Sequence, residues 1–335
     1  MRRLPLWLAL SVALVAAGPA AAAPSAGETI VSALAGPPKS SFLARIRAGE
    51  MGGVILVGRW KPAELLATTQ QLHSAGCAAG RPLLVMVDQE GGSARRLTWA
   101  NPVHTAGELG RLGIDRVRAE AGAAARSLRA AGIDIDLAPV ADTLGPGGFL
   151  GDRSFGTRPE RVGRLAAAFI QALQRGRVAA TAKHFPGLGA ARVSTDDHRV
   201  SLGATYLDPF GRAIAAGAKL VMVSNAIYPA LDAAGTPAVF SRPIVTGLLR
   251  GTFGFSGLVV SDALDAPTPA RTPHAPARAL AAGVDLLLYT SGGAAHAAYE
   301  QLRSDALASP LVRARLAQAV ARIHTLEAWL GRICG

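Results

Sequence analysis

At 335 residues, half of them hydrophobic, the chain is too long and too apolar to stay disordered, and it suits one large α/β domain or two small ones. The formal net charge of +12 comes almost wholly from arginine, since Lys39, Lys61, Lys183 and Lys219 are the only lysines. Such a balance favours attraction to anionic polymers, the cell wall being a natural candidate, although genomic base composition produces the same excess. The arginines do not form the dense, aromatic-interleaved run of a nucleic-acid binder, so no nucleic-acid partner is expected.

Arg2 and Arg3 precede an apolar stretch from Leu4 to Ala17, followed by Gly18, Pro19 and alanines to Ala23. Basic, apolar and small-residue regions in that order predict a secretory signal peptide over residues 1–23. No cysteine near the expected cleavage point offers a lipid anchor, so the mature chain is expected to be soluble and outside the cytoplasm, with no membrane span. Cys77 and Cys334 are too few for a disulfide scaffold or a cysteine-rich metal site; in an oxidising compartment they either pair or remain two thiols.

Short apolar runs follow at Thr29–Ala35, Gly53–Val57, Leu83–Asp88, Ile133–Pro139, Val178–His184, Leu220–Asn225, Leu258–Asp262 and Val284–Tyr289. Their near-continuous hydrophobicity predicts parallel strands buried on both faces. Helices are predicted between them at Pro62–Ala75, Asp115–Ala131, Pro159–Arg175, Pro209–Ala216, Arg242–Thr252 and Pro276–Ala282, with Leu311–Leu330 closing the chain. Prolines near their starts and Gly76, Gly132, Gly176, Gly217 and Gly283 after their ends supply the punctuation. Eight strands alternating with helices predict a single (β/α)₈ barrel, with a doubly wound open sheet as the alternative. Nothing divides residues 28–332, which read as one domain.

A barrel of this kind carries its active site at the C-terminal ends of its strands. Those ends hold Asp88, the Asp136 and Asp142 pair, Lys183 and His184, Ser224 and Asn225, and Asp262. Any one strand-end aspartate commonly caps the next helix. Charged groups on five strands at once describe a pocket for a hydroxyl-rich ligand instead. Serine-hydrolase, zinc-protease, thioredoxin-like, P-loop and dinucleotide-binding signatures are all missing. His184 and His198 find no third ligand at metal spacing, so no metal and no organic cofactor is expected.

The motifs Asp88-Gln-Glu-Gly-Gly, Gly151-Asp-Arg-Ser-Phe-Gly156, Lys183-His-Phe-Pro-Gly187 and Val259-Val-Ser-Asp-Ala-Leu264 stand in the order found in family 3 glycoside hydrolases. From about Thr29 to the last helix the chain resembles the one-domain β-N-acetylglucosaminidases of that family, which act on peptidoglycan fragments. The resemblance implies Asp262 as the nucleophile of a retaining reaction, with Asp88, Arg96, Arg153, Lys183 and His184 binding the hydroxyls of the sugar. Hydrogen bonds to charged groups that strengthen as the ring flattens toward an oxocarbenium ion suit that role.

The family carries its acid/base histidine, with an aspartate two residues earlier, on a loop after Lys-His-Phe-Pro-Gly. Here the loop departs from the pattern: Leu188 and Ala190 replace the usual His and Asp, and it is about two residues longer. Asp196-Asp197-His198 retains the Asp-x-His spacing, so Asp196 is expected to orient His198 and raise its pKa for protonating the leaving oxygen. Asn225 stands where the family has a histidine. The resemblance therefore implies release of terminal β-N-acetylglucosamine from cell-wall glycan fragments. A β-glucosidase or phosphorylase of altered specificity, or a barrel that binds glycan without turning it over, are the alternatives.

Overall fold

A computed structural model describes residues 25–203 and 205–334; the expected signal peptide lies outside the described residues. The barrel strands are β1 (Ile30–Leu34), β2 (Gly53–Leu56), β3 (Leu84–Val87), β4 (Ile135–Asp136), β5 (Ala179–Phe185), β6 (Leu220–Val223), β7 (Leu258–Ser261) and β8 (Leu287–Tyr289). All pair in parallel in the order β8-β1-β2-β3-β4-β5-β6-β7, and a parallel bridge from Val260 to Leu286 joins β7 to β8. The sheet thus closes on itself as the expected barrel, not the open alternative.

The strands read as unbroken apolar runs because both faces are buried. Val31, Ile55, Leu84, Met86, Ile135, Leu220, Leu258 and Val260 fill the lumen. Their neighbours Ile30, Val54, Leu56, Val85 and Val87 pack outward against the helices. Each fully buried side chain of this size contributes about 1.5–3 kcal/mol. The last helix, Pro310–Leu330, inserts Ile323, Leu326 and Leu330 into the lumen cluster and so plugs the lower end of the barrel.

Pro159–Arg175 is helical over the predicted span, and Pro62–Ala78, Ile114–Ala130, Asp208–Ala215 and Ala275–Ala282 lie close to theirs. The segment predicted as an ordinary helix at 242–252 is wound as a π-helix over Pro243–Thr252, with Gly247 and Gly251 inside it. Helices at Ser40–Arg47, Ala106–Leu112 and Gly292–Ala308, and a single turn at Pro267–Ala270, add to those predicted.

Cys77, in the helix Pro62–Ala78, is bonded to Cys334 with a Cα–Cα distance of 5.2 Å, which settles the open alternative. Around it the C-terminal segment is held by Arg332 Nε on Asp134 at 2.5 Å, Arg129 Nη2 on the Leu330 carbonyl at 3.2 Å and Arg177 Nη1 on the Trp329 carbonyl at 2.8 Å. Among the described residues no helix is long and apolar enough to cross a membrane.

Candidate active site

The strand ends open into a cavity of about 550 Å³ at the upper, C-terminal end of the barrel. Asp88, Arg96, Arg153, Lys183, His184, Asp196 and Asp262 all line it. These seven come from segments as much as 174 residues apart (262 − 88); Asp88, Lys183, His184 and Asp262 meet at the strand ends, and Arg96, Arg153 and Asp196 reach the cavity from the loops beyond them.

The Asp88-Gln89-Glu90 run sends successive side chains to different tasks. Asp88 lines the cavity. Gln89 turns away, its amide nitrogen donating to the carbonyls of Leu97, Ala100 and Asn101 while its oxygen accepts from the Leu97 N–H, which pins the loop bearing Arg96. Glu90 is buried and receives two parallel bonds of 2.8 Å from Arg153 Nε and Nη2. The Lys183 ammonium, 2% exposed, joins the pair: it lies 2.6 Å from Glu90 Oε1 and 2.7 Å from Asp88 Oδ1.

Burial alone would push Glu90 up; Lys183 and the two-pronged Arg153 outweigh it and bring the carboxyl down to about 2. Glu90 therefore stays ionised and holds both cations at the cavity wall. Desolvation also opposes the charge of Lys183, and Asp88 and Glu90 overcome it and raise its pKa. Asp136, one of the predicted strand-end carboxylates, is fully buried and accepts the Gln89 N–H at 3.0 Å. Burial, with Asp88 and Glu90 adding to it, pushes the Asp136 carboxyl well above its ordinary value.

Asp142 fixes His184. One carboxylate oxygen lies 2.7 Å from Nδ1 of the imidazole and accepts the His184 N–H at 3.0 Å, and the other accepts the Leu188 N–H at 2.6 Å. A carboxyl oxygen accepting at Nδ1 selects the tautomer with its proton there, which leaves Nε2 as an acceptor. Asp262 follows β7 directly: its N–H donates to the Val223 carbonyl at 2.9 Å, and its Oδ1 accepts the Ala263 N–H at 2.8 Å. Ser224 and Asn225 do not line the cavity. Ser224 Oγ accepts the Ala226 N–H, and Asn225 Nδ2 donates to the Ala263 carbonyl at 2.7 Å, tying β6 to the residue after Asp262.

The loop after His184 has a fixed root and an exposed tip. Gly145 and Phe149 donate to the carbonyls of Gly189 and Ala191 at 2.9 and 2.8 Å, binding the root to the 143–149 segment. A Cβ on Gly189 would fall 2.0 Å from the Thr143 carbonyl oxygen, so only glycine permits that approach. At the tip, Ser194 Oγ accepts the Asp196 N–H and the Ser194 carbonyl accepts the His198 N–H at 3.1 Å, closing a turn. That turn puts Asp196 at the mouth of the cavity and leaves His198 exposed outside its lining. Among the described residues no hydrogen bond joins Asp196 to His198, so the expected orienting contact is not made in this conformation. Desolvation raises the pKa of the Asp196 carboxyl, and the charge of Asp262 adds to the shift.

Glu90 and Asp265 are site residues that the strand-end reading did not name, and Asp142, which it did name, acts by holding His184. Asp265 lines the cavity and accepts from Thr290 N, Thr290 Oγ1 and Ser291 N at 2.8–3.0 Å, clamping the exit of β7 to that of β8. Among the described residues no cluster of three or more His, Cys, Asp or Glu is arranged to hold a metal.

The chain matches the glycosyl hydrolase family 3 N-terminal domain over residues 31–326. It is 38% identical over 263 residues to a β-hexosaminidase of Tolumonas auensis, covering 72% of this chain and 76% of that protein. A β-N-acetylhexosaminidase structure from Beutenbergia cavernae aligns with a TM-score of 0.84 and 31% identity, covering 90% of this chain and 97% of that one. A family 3 β-N-acetylglucosaminidase from Paenibacillus sp. aligns with a TM-score of 0.87 and 28% identity, covering 94% of this chain and 64% of the longer neighbour. With this match running from the first strand to the terminal helix and the quoted motifs meeting at one cavity, the chain belongs to glycoside hydrolase family 3.

Proposed function

We propose that this glycoside hydrolase removes terminal β-linked N-acetylglucosamine from cell-wall glycan fragments with retention of configuration, and that it works outside the cytoplasm. The observation that carries the reading is Asp262 at the end of β7, in one cavity with Asp88, Arg96, Arg153, Lys183 and His184. The hexosaminidase names of its relatives support the sugar. The predicted signal peptide and the Cys77–Cys334 bond support export, since such bonds persist in oxidising compartments.

In the first step an Asp262 carboxylate oxygen bonds to the anomeric carbon as the glycosidic C–O bond breaks, and the leaving oxygen takes a proton. In the second, water gives that proton equivalent back and its oxygen displaces Asp262 from the same carbon. Asp88, His184 and the Glu90-held cations Arg153 and Lys183 grip the ring hydroxyls as charge develops on the sugar. The proton is carried by the Asp196–His198 turn. Asp196 already stands at the cavity mouth, and closure of the exposed tip over a bound sugar brings His198 to the leaving oxygen.

Aryl glycosides test both parts. The enzyme should hydrolyse aryl β-N-acetylglucosaminide far faster than aryl β-glucoside, with no stimulation by phosphate; the reverse preference, or a phosphate requirement, overturns the hexosaminidase reading. His198→Ala should lose turnover of substrates with poor leaving groups while keeping much of it on activated aryl glycosides. An equal effect on both classes removes His198 as the acid and leaves Asp196.

A further inference from the structure

The lower end of the barrel, opposite the cavity just described, carries two adjoining clefts that the hydrolytic chemistry does not use. One, of about 410 Å³, is lined by Lys219, Phe255, Ser256, Arg322, Thr325 and Trp329 among others. The second, of about 190 Å³, shares Arg322 and adds Arg250, Arg315 and Asp285. Lys219 precedes β6, Asp285 precedes β8, and Arg322 and Trp329 lie on the helix that plugs the barrel.

The charges here do not cancel. Asp285, 1% exposed, is the one acid lining either cleft, and its carboxylate is spent: Arg250 Nη2 at 2.6 Å, Arg322 Nη1 at 3.0 Å and the Val259 N–H at 2.8 Å. Arg250 is further consumed by the carbonyls of Phe255, Gly257 and Gly283. Among the described residues Lys219 and Arg315 have no carboxylate within ion-pair distance. The Lys219 ammonium lies over the Trp329 ring, 4.9 Å from its centre, and the Arg177 guanidinium approaches the same ring at 5.5 Å. The clefts thus present an aromatic surface, two hydroxyls and unneutralised cations, with no free acid.

We propose that this lower face is a second binding site, for an acidic polysaccharide chain. A pyranose has an apolar C–H face that packs on an indole, while its ring carboxylate reaches Lys219, the cation of the larger cleft left unpaired among the described residues, and its hydroxyls reach Ser256 and Thr325. Duplex nucleic acid fits less well, because its affinity rests on many phosphate contacts along a basic stripe. The four residues of β7 alone separate the two ends by about 13 Å, so a polymer held below leaves the cavity above open. The chain's excess of 12 positive charges favours the same ligand at long range.

Affinity electrophoresis and calorimetry of the whole protein with polygalacturonate, neutral dextran and duplex DNA test this. Polygalacturonate should bind and dextran should not. Lys219→Gln and Trp329→Ala should each weaken binding by about fivefold, with aryl-glycosaminide turnover unchanged. Arg111→Gln removes the same charge from the exposed face of the helix Ala106–Leu112 and should have no effect. If all three variants bind alike, or if DNA binds as tightly at the same ionic strength, attraction is diffuse and the site does not exist. Lys219→Gln changes a half-buried surface residue, so its result stands even where Trp329→Ala lowers stability.

Discussion

Nδ1 of His184 lies 2.7 Å from Oδ2 of Asp142, and this one contact sets which nitrogen of the imidazole faces the cavity. Asp142 is fully buried and also fixes the backbone at residues 184 and 188, so it determines both the tautomer of His184 and the root of the loop beyond it. Asp142→Asn should lower kcat/KM by about ten- to a hundredfold, the equivalent of one hydrogen bond to a charged group. Steady-state kinetics beside a melting curve separate this from unfolding. A folded variant with wild-type kcat/KM would show that the pair has no part in the site.

Glu90 is the counter-charge for Arg153 and Lys183, the two cations proposed to grip the sugar. Glu90→Gln should destabilise the fold by about 3–5 kcal/mol in urea unfolding, as expected when one member of a buried ion cluster is removed. KM should rise with it, because Arg153 and Lys183 lose their common anchor. Since the folded value of Glu90 lies near 2 and the ordinary one near 4.5, its contribution is complete above pH 4.5 and is lost as the pH falls toward 2. The variant should therefore lose less stability than wild type across that acid window.

Glu327, on the terminal helix, runs the other way. Burial pushes it up to about 7 from an ordinary value of 4.5, with Glu28 and Asp134 adding to the effect against His324 and Arg81. Its folded form holds a proton that the unfolded chain releases, so its stabilising contribution is present below pH 4.5 and fades as the pH rises through 7. Glu327→Gln should flatten that slope and leave the protein more stable above pH 7, by at most about 3 kcal/mol. Unfolding curves at pH 5 and pH 8 decide it.

The Cys77–Cys334 bond spans 257 residues and pins the helix that closes the lower end of the barrel. Replacing both cysteines by serine should remove about 2–5 kcal/mol and lower Tm by roughly 5–15 °C. Activity at 25 °C should persist, since the bond is at the end opposite the cavity. Thiol titration of the unfolded, unreduced protein should find no free thiol.

The barrel could be read from the chain because strands buried on both faces leave unbroken apolar runs, and the glycines before them mark where helices stop. The helix Gly292–Ala308 escaped notice for a local reason. It opens on two glycines, and its alanine-rich face gives little contrast between buried and exposed positions. Asp88, Lys183, His184 and Asp262 could be placed together because strand ends of a closed barrel converge, whereas Arg96 and Arg153, on the segments beyond those ends, came only from the resemblance to family 3.

Glu90 could not be assigned in the same way, and Asp142 could be placed at a strand end but not given its partner. Their partners lie 63 and 42 residues away, and only the folded register shows which carboxylate meets which cation. His198 marks a further limit. Spacing gave the order Asp196-Asp197-His198, but the turn at Ser194 decides which of them faces the cavity.

Asp262 can be tested most directly by measuring turnover of aryl β-N-acetylglucosaminide by the wild type and by Asp262→Ala, alongside melting curves. The expected result is a folded variant whose kcat falls by at least about a thousandfold. A folded Asp262→Ala protein that turns over at a rate close to wild type would contradict the assignment of the nucleophile.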